Sequence, residues 1–256
     1  MIRLCATLLC LLANPLSAQC RQALALGMDV SGSVDSREYR LQLSGLAAAL
    51  RHPEVVQLIL SNPSTFVRIA IYEWSEPGHQ RLLLGWTDVR STADLRRIQQ
   101  HLESTTRSSA PQGTAVGSAM LYGADMLESQ SDCWRRTLDL SGDGKHNLGH
   151  HPRDIKAALQ NTDITINALV IGIDDPNPGD TRQVEIGELS AYYHAWVIRG
   201  PDAFVEVALG FEAYEDAMTR KLIRELEGLS LSQTQPSKLS VDIPNLIGPI
   251  SFDPTQ

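Results

Sequence analysis

Residues 23–33 read ALALGMDVSGS, an apolar run that passes directly into an aspartate and two serines. The run predicts a strand at 23–30 that is buried on both faces, because it lacks the alternation of a half-exposed strand. Asp29, Ser31 and Ser33 are spaced by two, so an extended backbone directs their side chains the same way. They stand at the carboxyl end of the strand, where open α/β sheets bind ligands.

Apolar runs alternate with stretches of helical period through most of the chain, which predicts a mostly parallel sheet covered by helices. The further predicted strands are 66–72, 81–86, 136–140 and 164–171, and the predicted helices are 36–50, 92–103, 114–127, 152–160 and most of 203–226. The first two of these strands are separated by a short turn and are expected to form a hairpin. Residues 192–198 are predicted as a short strand or a helix end. The fold class is therefore α/β, a doubly wound, mostly parallel sheet with one antiparallel edge strand and helices on both faces.

Length and composition fit one globular domain. The chain has 256 residues, of which 43% are hydrophobic and 20% are charged, and these values are typical of a folded domain. With 22 basic against 30 acidic residues, the formal net charge is -8. Because an acidic chain repels phosphate groups, nucleic acids and anionic membranes are not expected as primary partners.

The first residues of the chain predict export. Residues 1–18 contain one charge at Arg3, an apolar run at 4–12 and then small residues, which is the pattern of a cleaved secretory signal peptide. The apolar run is too short to span a bilayer, so no membrane span is expected after cleavage, and the protein is predicted to be periplasmic or secreted. An uncleaved anchor and a lipoprotein at Cys20 are the alternatives, although the bulky Gln19 disfavours the second.

The remaining chain is predicted to divide into two parts. A folded domain is expected at 20–227, and the polar sequence of 228–256 predicts a flexible tail. Cleavage of the signal peptide leaves two cysteines, Cys20 and Cys133. Two cysteines in an exported chain suggest one disulfide, and two free thiols are the alternative.

Two further segments carry oxygen donors at the ends of predicted elements. Asp143 stands between two glycines shortly after the strand at 136–140, and Thr114 opens a predicted helix. Together with the first loop, they bring carboxylate and hydroxyl oxygens to one edge of the sheet. Hard oxygen donors of this kind suit Mg²⁺, Mn²⁺ or Ca²⁺. Taken singly, the serines could instead cap a helix and Asp143 could be a turn residue.

This combination resembles the von Willebrand factor A domain, whose metal-ion-dependent adhesion site joins an Asp-x-Ser-x-Ser loop to a distant threonine and a distant aspartate. The residues that match those positions, in that order, are Asp29, Ser31, Ser33, Thr114 and Asp143. The resemblance covers residues 22–226. More narrowly, the chain resembles an uncharacterised group of exported bacterial proteins with this fold, without a defined activity, in the segments DVSGSVD, GTAVGSAM, DLSGDGKHN and TINALVIG.

The resemblance implies a non-enzymatic, exported binding module that presents a divalent cation, with Mg²⁺ as first choice and Mn²⁺ or Ca²⁺ as alternatives. In the family, the two serines bind the cation directly, and the threonine and the aspartates bind it directly or through water. A protein partner completes the coordination with an Asp or Glu carboxylate. The protein is expected to be a monomer. In some family members the last helix, here within 203–226, moves when the coordination changes.

The family topology also implies a disulfide pairing. In such folds, the first strand and the strand before Asp143 are parallel neighbours. Cys20 lies nine positions before Asp29, and Cys133 lies ten positions before Asp143, so the two cysteines come nearly level on adjacent strands. A bridge between Cys20 and Cys133 is therefore expected at the edge of the sheet opposite the metal site.

Other functions and sites are also conceivable from the sequence. Paired aspartates at strand ends serve Mg²⁺-dependent hydrolases and phosphatases, but no evident base lies near Asp29. A purely structural domain with a degenerate site is the third interpretation. Asp139, inside an apolar strand, is expected to be a buried carboxylate with supporting partners. A histidine cluster could bind Zn²⁺, namely His146, His150 and His151. An acidic turn could bind Ca²⁺, namely Asp174, Asp175 and Asp180. Both are more typical of solvated loops.

Overall fold

The computed structural model describes residues 18–172 and 181–231. The strands are β1 (Gln19–Asp29), β2 (Thr65–Trp74), β3 (Gln80–Val89), β4 (Arg135–Gly142), β5 (Ile164–Ile171) and β6 (Val205–Ala208). The helices are α1 (Ser36–Ala49), α2 (Pro53–Leu60), α3 (Thr92–Ser104), α4 (Val116–Glu128), α5 (Pro152–Ala158), α6 (Thr181–Trp196) and α7 (Tyr214–Leu231). In the described part of the chain, the sheet has the order β3-β2-β1-β4-β5-β6, and only the β2–β3 pair is antiparallel.

The central strand β1 separates two apolar cores. Leu24, Leu26 and Met28 face one core with α1, α2, α3 and α7, whereas Ala23 and Ala25 face the other with α4, α5 and α6. Burial on both faces explains why the sequence of β1 is continuously apolar. The predicted fold class, a doubly wound sheet with helices on both faces and one antiparallel edge strand, is confirmed.

Three elements differ from the sequence-based expectation. Helix α2 was not predicted, although Pro53 at its first turn and the i, i+4 pair Val55 and Ile59 are helix signals. The prediction of helix for most of 203–226 is wrong for the short strand β6, whose sequence is too brief for its period to be diagnostic. Helix α6 was not predicted as a whole, although residues 192–198 contain its end, which is one of the two alternatives that the sequence left open.

A disulfide joins Cys20 and Cys133, with 4.5 Å between their Cα atoms, and this confirms the predicted pairing. Strands β1 and β4 are parallel neighbours that pair from Gln22 and Arg135 onward. The two cysteines each stand two residues before that first pair, so they lie level at the amino end of the two strands. The bridge therefore fixes these strands to each other at the edge opposite the predicted metal site.

Asp139 is buried within β4 and has the kind of partner that its burial requires. Its Oδ2 lies 3.0 Å from the Nζ atom of Lys221 on α7, and neither side chain is exposed. The ion pair connects the middle of the sheet to the last helix. Asp139 therefore supports the structure from the interior.

None of the described helices is long and apolar enough to cross a membrane. Three predicted features lie largely or wholly outside the described residues. They are the signal peptide, the polar tail beyond Leu231 and the acidic turn with Asp174, Asp175 and Asp180. Helix α7 continues to Leu231, four positions past the predicted end of the domain.

Candidate metal site

The two strands that carry the predicted aspartates are neighbours at the centre of the sheet. The chain continues from β1 into α1 and from β4 into α5, and these helices pack in opposite cores. A sheet whose connections diverge in this way has a crevice at the carboxyl ends of the two strands, and this crevice is where ligands bind. The fold therefore places the candidate site at its topological switch point.

The loop after β1 is organised by its own side chains. Asp29 Oδ1 accepts a hydrogen bond of 2.8 Å from the backbone N–H of Ser31, and the Oγ atoms of Ser31 and Ser33 are 3.2 Å apart. The N–H of Gly32 donates to the carbonyl of Gln112 at 3.1 Å. A Cβ atom at Gly32 would meet the side chain of Gln112 at 2.9 Å, so this close approach requires glycine.

Asp143 reaches the same loop from β4. Ser33 Oγ donates a hydrogen bond of 2.7 Å to Asp143 Oδ1, across a sequence separation of 110 residues. The structure thus brings Asp29, Ser31, Ser33 and Asp143 into one contiguous group.

Thr114 approaches from the segment before α4. Its N–H donates to Oδ1 of Asn147 at 2.8 Å, and its carbonyl accepts from the N–H of Asn147 at 3.0 Å. Asn147 lies in the loop after β4. Thr114 Oγ1 is 3.7 Å from the position that a Cβ atom on Gly144 would take. Thr114 therefore lies against the turn that carries Asp143.

The electrostatics of the group are those of two carboxylates held close together away from water. Burial, reinforced by the charge of Asp143, raises the pKa of Asp29 to about 8. Burial also raises the pKa of Asp143, although its hydrogen bond from Ser33 opposes the shift. Both shifts mean that the pair resists carrying its full negative charge unless a positive charge is nearby.

The donor set fits a hard divalent cation. Among the described residues, Asp29 Oδ2 is buried and has no hydrogen-bond partner, and such an orphaned carboxylate oxygen is costly unless something satisfies it. A cation would satisfy it and would favour the ionised form of both aspartates. The available atoms are carboxylate and hydroxyl oxygens, which are the ligands that Mg²⁺ and Ca²⁺ prefer.

Three residues that support the site were not singled out from the sequence. Gln42 of α1 donates from Nε2 to the carbonyl of Asp29 at 3.0 Å, Asn147 holds Thr114, and Tyr193 of α6 donates to the carbonyl of Gly144 at 3.2 Å. Each is a polar residue on an element whose docking depends on the tertiary fold. Of the three, only Gln42 could have been found from the sequence. It stands at the helical spacing of the apolar residues that α1 buries, where a polar side chain is unusual.

Replacing Tyr193 with phenylalanine is expected to lower the free energy of unfolding by about 1 kcal/mol, because the carbonyl of Gly144 loses its donor while the ring packing is kept. Urea denaturation of the two proteins measures the difference. Tyr122→Phe is the matched control. Tyr122 contacts the ring of Tyr72, and its hydroxyl forms no hydrogen bond with any residue that the structure describes. Equal effects of the two substitutions would remove Tyr193 from the support of the site.

The zinc hypothesis for the histidine loop is not supported. The rings of His146 and His151 are 5.4 Å apart, and His151 also contacts the rings of Tyr192 and Trp196. Over residues 18–172 and 181–231, no group of three or more His, Cys, Asp or Glu side chains is arranged to hold a metal ion. His146 and His151 therefore take part in an aromatic cluster with Tyr192 and Trp196.

Comparison with known sequences identifies the family. Residues 19–230 match the family DUF1194, which is described as a protein of unknown function. The chain belongs to this family. A search of curated proteins finds no match.

Solved structures with the same fold include three von Willebrand factor A-type or adhesion-related proteins. The pilus adhesin SpaC from Lactobacillus rhamnosus GG is 14% identical with a TM-score of 0.58, over 83% of this chain and 32% of its own. Proximal thread matrix protein 1 from the mussel byssus, described with a zinc-occupied MIDAS motif, is 16% identical with a TM-score of 0.56, over 82% and 47%. A von Willebrand factor type A protein from Catenulispora acidiphila is 13% identical with a TM-score of 0.51, over 82% and 43%.

These likenesses establish the von Willebrand factor A-type fold that the sequence resemblance implied. The chain spans 32% to 47% of the length of these solved chains. The likenesses therefore concern the fold, and the ligands of those larger proteins are not assigned to this chain.

Proposed function

We propose that this protein is a metal-dependent adhesion or scaffold module that binds another protein. Asp29, Ser31, Ser33, Thr114 and Asp143 would hold one divalent cation, Mg²⁺ by preference and Mn²⁺ or Ca²⁺ as alternatives. The cation would supply an open coordination position for an Asp or Glu carboxylate of the partner protein.

The observation that carries the proposal is the hydrogen-bonded group of Ser31, Ser33 and Asp143 beside the unpartnered Oδ2 of Asp29. Two segments that are 110 residues apart supply acidic and hydroxyl oxygens to one place. A helix cap or an ordinary turn explains either segment alone, but neither explains their meeting around a buried carboxylate.

The burial of the group determines the side from which a partner can approach. Asp29 and Ser31 are fully buried, whereas Ser33 is exposed. A partner would therefore reach the cation from the side of Ser33. Because the buried pair of aspartates disfavours further negative charge, an acidic partner would bind only when the cation is present.

A non-enzymatic role is part of the proposal. In the described part of the chain, no histidine or lysine side chain forms a hydrogen bond or ion pair with any of the five proposed ligands. A hydrolase would need a base or a positioned nucleophile at the reacting atoms. Two of the solved proteins with this fold are a pilus adhesin and a matrix protein, which accords with binding rather than turnover.

We further propose that the mature protein is a monomer in the periplasm or outside the cell. The disulfide between Cys20 and Cys133 supports an oxidising compartment. N-terminal sequencing of the protein recovered from its native envelope should begin at residue 19 or 20. Recovery with residues 1–18 attached would contradict the predicted cleavage.

A chelation experiment tests the proposed function. Immobilised mature protein is incubated with envelope extract in Mg²⁺, washed and eluted with EDTA, beside an Asp143→Asn bait. The proposal expects a protein that elutes on chelation from the wild-type bait and is absent from the variant bait. A profile that is the same for both baits would contradict it, as would Mg²⁺-dependent phosphatase or esterase turnover that Asp143→Asn abolishes.

Thr114→Ala is expected to weaken Mg²⁺ binding by about tenfold to 100-fold, the range in which residues around a metal act. The backbone of Thr114 is held by Asn147 in any case, so the loss would come from the hydroxyl. Isothermal titration calorimetry with MgCl₂ measures it. Thr87→Ala is the control, because the hydroxyl of Thr87 bonds only locally to the carbonyl of Gly85 on β3. An unchanged affinity in Thr114→Ala would remove Thr114 from the ligand set.

A further inference from the structure

One arginine holds the backbone of the loop after β1 from outside the loop. Arg107 lies in the segment that follows α3, and its Nη2 atom donates hydrogen bonds to the carbonyls of Val30, at 3.3 Å, and Val34. These two carbonyls stand on either side of Ser31 and Ser33, the two serines of the proposed metal site. A single guanidinium therefore spans the part of the loop that carries both hydroxyls.

The two carbonyls need this donor because they are buried. Val30 is 2% exposed and Val34 is 1% exposed, and a buried carbonyl without a hydrogen bond costs free energy. Within the described residues, Arg107 forms no ion pair with a carboxylate. In that part of the chain, its hydrogen bonds go to the backbone of this loop.

The segment that carries Arg107 holds the loop at a second point. The N–H of Gly32 donates to the carbonyl of Gln112 at 3.1 Å. The segment then continues into Thr114, which is itself a proposed ligand of the cation. The stretch from 107 to 114 therefore holds the first loop and delivers a further hydroxyl to the same place.

The charge of Arg107 and its hydrogen bonds have opposite effects on a bound cation. Two positive charges repel each other, so a guanidinium near a cation site weakens binding through its charge. By its hydrogen bonds, Arg107 instead keeps in place the hydroxyls of Ser31 and Ser33, whose Oγ atoms are 3.2 Å apart, and residues that orient metal ligands strengthen binding. The direction of the change when Arg107 is removed therefore distinguishes the two effects.

Mg²⁺ and Ca²⁺ should respond differently to a loosened loop. Mg²⁺ requires nearly ideal octahedral geometry with oxygens at about 2.0–2.1 Å, whereas Ca²⁺ accepts roughly six to eight oxygens at about 2.3–2.6 Å in flexible arrangements. A loop whose backbone is held on both sides of its serines suits the smaller ion with the stricter geometry. Loss of that hold should therefore weaken the binding of Mg²⁺ more than the binding of Ca²⁺.

We propose that Arg107 is a positioning residue of the metal site, which fixes the loop of Ser31 and Ser33 in a geometry that selects Mg²⁺ over Ca²⁺. Arg107 would act through the backbone of the loop, without touching the cation. The inference rests on the proposed metal-binding function and adds to it the source of the metal preference.

Calorimetric titration of the mature full-length protein with MgCl₂ and with CaCl₂ tests the proposal. Arg107→Met should bind Mg²⁺ about tenfold more weakly than wild type, and the ratio of the Mg²⁺ affinity to the Ca²⁺ affinity should fall by about threefold or more. Arg199→Met is the matched control. The guanidinium of Arg199 also donates to backbone carbonyls, those of Thr162 and Ile164, but at the opposite edge of the sheet. The control should bind both ions as wild type does.

The outcomes separate this proposal from the metal site itself. If wild type binds Mg²⁺ and Arg107→Met binds it equally well or more tightly, the role of Arg107 is wrong and the site stands. Equal losses for Mg²⁺ and Ca²⁺ would overturn the role in selectivity, as would the same change of ratio in Arg199→Met. A wild type that binds neither ion at millimolar concentration would overturn the metal site, and this proposal with it.

Hydrogen exchange in EDTA tests the positioning without any cation. Amides in residues 29–35 should exchange faster in Arg107→Met than in wild type, whereas those of β5 should not change. If circular dichroism shows that Arg107→Met does not fold, Arg107→Lys takes its place, because a lysine keeps the charge and a donor but lacks the span of the guanidinium. It should also bind Mg²⁺ more weakly and exchange faster at 29–35. Wild-type exchange and wild-type Mg²⁺ affinity in the variant would contradict the proposal.

Discussion

Asp29→Asn is expected to lower the affinity for Mg²⁺ by about 100-fold or more, since even residues that only orient a metal ligand contribute tenfold to 100-fold. The substitution keeps the shape of the side chain and removes one of the two carboxylate charges. In thermal melts, MgCl₂ at roughly 100 times its dissociation constant for the wild type should stabilise the wild type by about 2.7 kcal/mol and leave the variant nearly unchanged.

The same variant should be more stable than the wild type when no metal is present. The folded-state pKa of Asp29 is raised to about 8 from the ordinary value of 3.8, so the folded protein holds a proton that the unfolded chain releases near pH 4. The contribution of Asp29 to stability is therefore fully present below pH 4 and is lost as the pH rises through about 8. Asparagine does not titrate, and the advantage of the variant in EDTA should grow over this interval and then level off.

Asp163→Asn is the control for both measurements, because the side chain of Asp163 is 96% exposed and lies at the other edge of the sheet. It should respond to Mg²⁺ as the wild type does. A full Mg²⁺ response in Asp29→Asn, or a metal-free stability that falls relative to wild type with rising pH, would contradict the role given to the buried carboxylate.

Removal of the disulfide is expected to destabilise the protein by about 2–5 kcal/mol. The bridge closes a loop between residues 113 positions apart, and a loop of this length restricts the unfolded chain strongly. The test is urea denaturation of the Cys20→Ser, Cys133→Ser double variant beside the oxidised wild type. We expect a lower midpoint and a somewhat steeper slope, because the unfolded variant is no longer cross-linked and exposes more surface.

A reducing agent provides the matched comparison for the disulfide. It should lower the urea midpoint of the wild type toward that of the double variant and leave the midpoint of the variant unchanged. Wild type and double variant that unfold at the same urea concentration would show that the bridge contributes little to the stability of the oxidised protein.

The sheet was largely predictable because its signals are local. A strand buried on both faces shows itself by a continuous apolar run, as in β1, where Asp29 ends the run, and Asp143 directly follows the end of β4. The position of each donor at a strand end could therefore be inferred before the structure. The disulfide followed once the family topology made β1 and β4 neighbours.

The supporting residues and the last strand were not predictable in the same way. Asn147 and Tyr193 act on Thr114 and Gly144 only because two loops and α6 meet at the edge of the sheet, and this meeting leaves no periodic trace in the sequence. Strand β6 is formed by four residues that pair with β5. Pairing of so short a segment is decided by tertiary contacts rather than by its own propensity.

The most direct test of the metal site is a crystal structure of the protein grown with MnCl₂, examined by anomalous scattering at the manganese edge. We predict one strong peak at the carboxyl end of β1 and β4, within bonding distance of Ser31 Oγ and Ser33 Oγ and close to Thr114 and Asp143. A well-ordered loop without a peak there, or a manganese ion bound only elsewhere on the protein, would contradict the site.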